Sequence, residues 1–122
     1  MIVAGFGFRG AALCASLENA LALASNGKTP DALATAEDKA GHPAFRELAA
    51  ALGLPVIGID AAALAAAKTL TYSPASQSAR GAGSVAEAAA LVAAGAGARL
   101  LGPRRISEDR LATCALARRE AP

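Results

Sequence analysis

The sequence predicts an α/β fold: a three-layer α/β/α domain with a mostly parallel sheet and a C-terminal antiparallel hairpin. Three observations carry this. Short apolar runs alternate with Ala- and Leu-rich segments of helical spacing from Met1 to Leu101. The chain then ends in strand-like runs around the polar stretch Ser107–Arg110. A length of 122 residues suits a single domain, residues 1–122, and 54% hydrophobic against 18% charged content is a globular balance. With three Phe, one Tyr, one Met and no Trp, the core must be built from Ala, Leu, Val and Ile. Such a core lets layers approach closely, although each side chain buries little area.

Met1–Phe6 reads as a buried strand, and Gly5–Gly10 as a glycine-rich turn after it. Ala11–Ser25 carries Leu13, Leu17, Leu21 and Ala24 at helical spacing, and Asn26-Gly27 stops it. Asp31–Ala36 is the second strand, followed by the polar loop Glu37–Gly41. His42-Pro43 opens a helix to Leu52, with proline in the first turn where its missing N–H is harmless, and Gly53 closes it. Pro55–Ile59 is the third strand, and Asp60 is a good N-cap for a helix over Ala61–Lys68. Thr69–Gly83, rich in Ser, Gly and Pro, reads as a long loop of the kind that is often functional. Ser84-Val-Ala-Glu87 is a capping box, in which the Ser84 hydroxyl accepts from the Glu87 N–H and the Glu87 carboxylate reaches back. Its helix runs to Ala94 and ends at Gly95. Arg99–Leu101 is the fourth strand, and Ile106 with Leu111–Ala117 forms the hairpin.

Composition narrows the function classes. A formal charge of +2 does not argue for nucleic acid. Six of the twelve basic residues (Arg99, Arg104, Arg105, Arg110, Arg118 and Arg119) nevertheless fall in the last 24 positions, as either a solvated surface or a basic face toward an anionic partner. The opening residues lack a basic region with a long apolar run, and no apolar stretch is long enough to span a bilayer, so a cytoplasmic protein with no membrane partner is expected. Cys14 and Cys114 form no close pair; buried thiols, a disulfide and a metal pair all remain open. One histidine and no cysteine cluster give no reason to expect a protein-held metal or another cofactor.

Ligands of such sheets sit beyond the carboxyl ends of the strands. That rim is expected to hold Gly5–Gly10, Glu37–Gly41 and Asp60, with the Thr69–Gly83 loop over it. Gly5, Gly7 and Gly10 match G-x-G-x-x-G, which fits an anion-binding turn, a ligand-free turn or a nucleotide site. The nucleotide reading lacks an acid about 20 positions on; Glu37 and Asp38 stand 32 and 33 after Gly5. Arg9 could clamp a carboxylate with its planar fork, or pair with Glu37 or Asp38 on the surface. Glu37, Asp38 and His42 are the candidate acid–base groups, with Lys39 as an anion contact; the alternatives are a plain surface loop and a histidine cap. Ser73, Ser76, Gln77, Ser78 and Arg80 could make the long loop a hydrogen-bonding lid.

Four ordered segments resemble the CobE / CbiG C-terminal domain family: Ala4–Gly10, Leu33–Lys39, Leu52–Pro55 with Asp60, and Gly83–Leu91 followed by Ala94-Gly95 and the basic turn Pro103–Arg105. The chain departs from the family pattern at Phe8, where members often carry cysteine, and in having only Arg9 where many have paired basic residues. The resemblance implies a role in cobalamin (corrin ring) biosynthesis. CbiG proteins open a precorrin δ-lactone; the short free-standing members look like CobE, and this chain, starting at the domain, resembles those. The implied ligand is a carboxylate-rich precorrin or corrinoid intermediate, with other corrin-pathway enzymes as further partners. Its acid groups would meet Gly5, Gly7, Arg9, Gly10, Lys39, Ser76, Gln77, Arg80, Gly83 and Ser84, and its ring would meet Phe6 or Phe8. A lactone hydrolase using Glu37, Asp38 or His42 as base is the alternative.

Overall fold

The first apolar run extends further than its glycines suggest. Strand β1 spans Ile2–Phe8, so Gly5 and Gly7 lie inside it rather than in a turn. The reason is tertiary. The last strand, β6 (Ala112–Arg118), pairs with it antiparallel along its whole length, from Ile2↔Arg118 to Phe8↔Ala112, and this ladder outweighs the turn preference of glycine. The structure is a computed structural model that describes residues 1–71 and 84–120. Ser73, Ser76, Gln77, Ser78, Arg80 and Gly83 of the expected lid lie outside the described residues.

The other described elements follow the expected order: α1 (Cys14–Ser25), β2 (Ala32–Ala36), α2 (Pro43–Leu52), β3 (Val56–Ile59), α3 (Ala61–Ala66), α4 (Val85–Ala94), β4 (Arg99–Leu100) and β5 (Arg105–Ile106). Helix α1 starts at Cys14 instead of Ala11, because the Ala12 N–H closes a turn onto the Arg9 carbonyl at 3.0 Å. The caps form as expected. Asp60 Oδ1 accepts from the Ala63 N–H at 2.8 Å, the Ser84 hydroxyl accepts from the Glu87 N–H at 3.3 Å, and Gly53 ends α2 at a φ of 65°.

The sheet order is β3-β2-β1-β6-β4, with β5 also on β6. Strands β1, β2 and β3 are mutually parallel, and β6 is antiparallel to every strand it pairs with. β4 and β5 share the far edge of β6, so they read as one edge strand interrupted by the excursion 101–104. Side chains alternate between two faces. Ala4, Phe6, Leu33, Cys114 and Leu116 pack against α1 and α2. Val3, Ala32, Ala34, Ala36 and Ala117 pack against α3 and the alanines of α4. The layers are therefore α/β/α. Both cysteines are free thiols; burial raises Cys114, and burial with the nearby Glu18 pushes Cys14 up to about 11.

Helix α4 lies directly on β1. A Cβ placed at Gly5 would sit inside the contact shell of the Ala86 carbonyl oxygen and 2.5 Å from the Ala90 nitrogen. Glycine is thus the residue that permits this helix–strand distance.

In the first turn of α4, Glu87 is completely buried. Its carboxylate does not reach back to close a capping box. Oε1 accepts from the Thr71 N–H and Oε2 from the Arg104 N–H, both at 2.8 Å, while the Arg104 guanidinium donates to Thr71 Oγ1 at 2.8 Å. One side chain therefore joins the stretch after α3 to the excursion between β4 and β5. Asp109 does similar work in the β5–β6 turn. It accepts from the Ser107 hydroxyl (2.6 Å), the Ser16 hydroxyl (2.5 Å) and the Leu111 N–H (3.0 Å), and these bonds hold it below the ordinary carboxylate range.

Three outcomes follow from this packing. Gly5→Ala forces α4 off the sheet and should lower unfolding free energy on the order of 3 kcal/mol in urea titrations. Glu87→Gln turns an amide donor toward a backbone N–H and should lose about 1–3 kcal/mol in the same measurement. The depressed Asp109 contributes stability above the unfolded carboxylate range and loses it as pH falls through its folded value. Asp109→Asn should therefore show a shallower acid-side decline in melting temperature than the parent.

Candidate functional site

The carboxyl end of β1 opens into a cleft of about 420 Å³. Gly7, Ala112 and Thr113 form its floor, and Phe8, Val85, Ile106 and Leu111 its walls. Gly7 keeps the floor low: a Cβ there would stand 3.0 Å from Thr113 Oγ1 and 3.3 Å from the Val85 Cβ. The Thr113 hydroxyl donates to the Gly7 carbonyl at 3.1 Å, which holds the two strands together at this point. Ser84 and Val85, the cap and first residue of α4, also line the cleft, so the positive end of the helix faces it.

The charge of the cleft is one-sided. Arg9, Arg104 and Arg110 line it, and no acidic residue is among the described lining residues. Each arginine has a structural reason for its position. Arg9 follows β1 directly, its N–H bonded to the Leu111 carbonyl at 2.9 Å. Arg104 is set by Glu87 and Thr71. Arg110 stands in a turn whose two acids face α1: Glu108 meets Asn19 through its N–H (2.7 Å) and carboxylate (3.3 Å), and Asp109 meets Ser16. Planar guanidinium groups around a concave, partly apolar surface suit carboxylates, which they can bind through paired hydrogen bonds.

The expected rim is only partly assembled here. Gly7, Phe8, Arg9 and Ser84 meet at the cleft. Gly5 and Phe6 do not, because both are buried within the sheet layers: Gly5 under α4 and Phe6 edge-on to Phe45 at 5.7 Å. Gly5 and Gly7 are therefore strand residues rather than parts of a turn, and Gly10 lies beyond the strand in an exposed turn. Glu37, Asp38 and Lys39 stand at the carboxyl end of β2 and are absent from the cleft lining. The Lys39 ammonium lies 5.4 Å from the Phe8 ring centroid, across that ring.

His42 is the N-cap of α2. Its Nδ1 accepts from the Ala44 N–H at 3.1 Å, which leaves the proton on Nε2 to donate to the Gly10 carbonyl at 2.9 Å. Both ring nitrogens are occupied, tying α2 to the turn after β1. Arg104, Arg110, Ile106 and Thr113 are site residues that the rim argument omitted. The signal for the two arginines was the basic bias of the last 24 residues. Among the described residues no group of three His, Cys, Asp or Glu side chains could hold a metal ion, and no helix is long and apolar enough to cross a membrane.

Comparison with known proteins places this architecture. A family profile described as "Cobalamin synthesis G C-terminus" matches residues 2–117. The crystal structure of CobE, a protein from the cobalamin (vitamin B12) biosynthetic pathway, is 35% identical, with a TM-score of 0.83 over 100% of this chain and 92% of its own. The cobalamin biosynthesis protein chiG from Agrobacterium tumefaciens str. C58 is 40% identical, with a TM-score of 0.75 over 99% of this chain and 100% of its own. Comparison with curated proteins returns no match. A matched profile spanning nearly the whole chain and two neighbours of the same architecture lead to one conclusion: the chain belongs to the cobalamin synthesis G C-terminal family, and its role lies in cobalamin biosynthesis.

Proposed function

We propose that the arginine-lined cleft binds the acid arms of a precorrin-type tetrapyrrole. The observation that carries this reading is the charge of the lining: three arginines, a helix N-terminus and no described carboxylate around an apolar floor. Precorrin-type rings carry several acetate and propionate groups on a flat apolar frame. A cleft of about 420 Å³ suits one edge of such a ring with its arms, not the whole ring. Phe8 and Ile106 offer apolar contact to that edge, while Arg9, Arg104 and Arg110 take the carboxylates.

Binding is favoured over lactone hydrolysis because the groups suited to be a base stand elsewhere. Glu37, Asp38 and His42 do not line the cleft, and His42 has both nitrogens engaged. A nucleotide reading loses its support with Gly5 and Gly7 drawn into β1.

A titration of the protein with a corrin polyacid bearing free acetate and propionate arms, followed by corrin absorbance, tests the reading. Each charge-assisted hydrogen bond contributes about 1.5–3 kcal/mol, so Arg9→Gln with Arg110→Gln should weaken binding on the order of 100-fold. The neutral methyl ester of the same corrin should bind the parent weakly. Equal affinity of parent and double variant for the polyacid would overturn the proposal.

A further inference from the structure

Arg110 is one of two non-glycine residues with positive φ among the described residues, at 63°. In this left-handed region a residue with a Cβ is disfavoured, and glycine or asparagine would normally stand there. The turn is nonetheless held firmly in this form. Arg110 N–H donates to the Ser107 carbonyl at 2.9 Å, Ser107 N–H to the Ala112 carbonyl at 2.8 Å, and Ala112 N–H to the Ser107 hydroxyl at 3.1 Å. Asp109, immediately before Arg110, fastens the turn to α1 through Ser16 and closes it through Ser107 and Leu111. Hairpin closure uses the left-handed conformation here but does not call for an arginine, since glycine would adopt it more readily. What arginine adds at this position is a guanidinium lining the cleft.

We propose that Asp109 is a positioning residue for ligand binding: it locks the Ser107–Arg110 turn in the left-handed form that delivers the Arg110 guanidinium to the cleft, and Arg110 is kept there for ligand carboxylates at the expense of backbone comfort. This inference rests on the binding role assigned to the cleft. Asp109 itself touches no ligand. Its carboxylate is bonded to Ser16, Ser107 and Leu111 and is not among the described lining residues of the cleft. The strain at Arg110 is the kind that clusters at ligand-binding positions, where the surrounding bonds over-determine it.

Two readouts separate this role from a merely structural one. First, Arg110→Gly relieves the left-handed backbone while deleting the guanidinium. Its melting temperature should equal or exceed that of the parent, while affinity for the corrin polyacid drops about tenfold. A lower melting temperature, or unchanged affinity, would overturn the proposal. Second, a double-mutant cycle crosses Asp109→Ala with Arg110→Gln and, separately, with Arg9→Gln. Asp109→Ala should weaken polyacid binding several-fold in the parent and in the Arg9→Gln background, and leave it unchanged in the Arg110→Gln background. Equal losses in all three backgrounds would mean that Asp109 acts on the fold at large, which refutes a role through Arg110. If neither Arg9→Gln nor Arg110→Gln alters affinity, the binding role of the cleft itself has failed, and that result is distinct from a failed cycle.

Discussion

The contact of α4 with β1 is the constraint on which the rest of the structure depends. It exists because Gly5 has no side chain and because α4 presents alanines, so helix backbone and strand backbone meet almost directly. A layer built this way gains little apolar area per residue. It gains position instead: the start of α4 is brought to the carboxyl end of β1 within narrow limits, because backbone cannot rearrange as a side chain can. Everything at the cleft is referred to that placement. Ser84 and Val85 form one wall, Gly7 lies beneath them, and Glu87 sits one turn inside.

Glu87 shows how a buried charge can serve as a joint. A carboxylate withdrawn from water is tolerated when strong donors surround it. Here the donors are backbone N–H groups of two segments far apart in sequence, at Thr71 and Arg104. The acid's lone pairs are spent on the loops that shape the cleft, and it is not itself among the described lining residues. Asp109 follows the same logic in the β5–β6 turn. The acids near the site are held by structural bonds and stand outside the described lining, where Arg9, Arg104 and Arg110 are found.

The local elements were legible because their signals are local. Asp60, Ser84 and Gly53 cap or stop their helices through bonds to residues a few positions away, and Pro43 takes the first turn of α2, as read. The glycine-rich opening misled for the opposite reason. A glycine in a strand and a glycine in a turn look alike in sequence, and only the seven-residue ladder with β6 decides between them. His42 was legible as a helix start; that its second nitrogen reaches Gly10, 32 positions away, was not.

By itself the sequence determined the alternation of strands and helices, the caps, the Ala-rich core and the family segments, all of which depend on nearest neighbours and composition. It also held the basic bias of the last 24 residues, without saying where those charges go. Tertiary structure alone decided that β6 enters the sheet beside β1, pairing Phe8 with Ala112 and carrying Arg110 to the cleft beside Arg9. Contacts so distant along the chain leave no periodicity to read, since each partner meets its own local requirements whether or not the other is present. The site is a property of that long-range pairing, and so it became visible only once the sheet was closed.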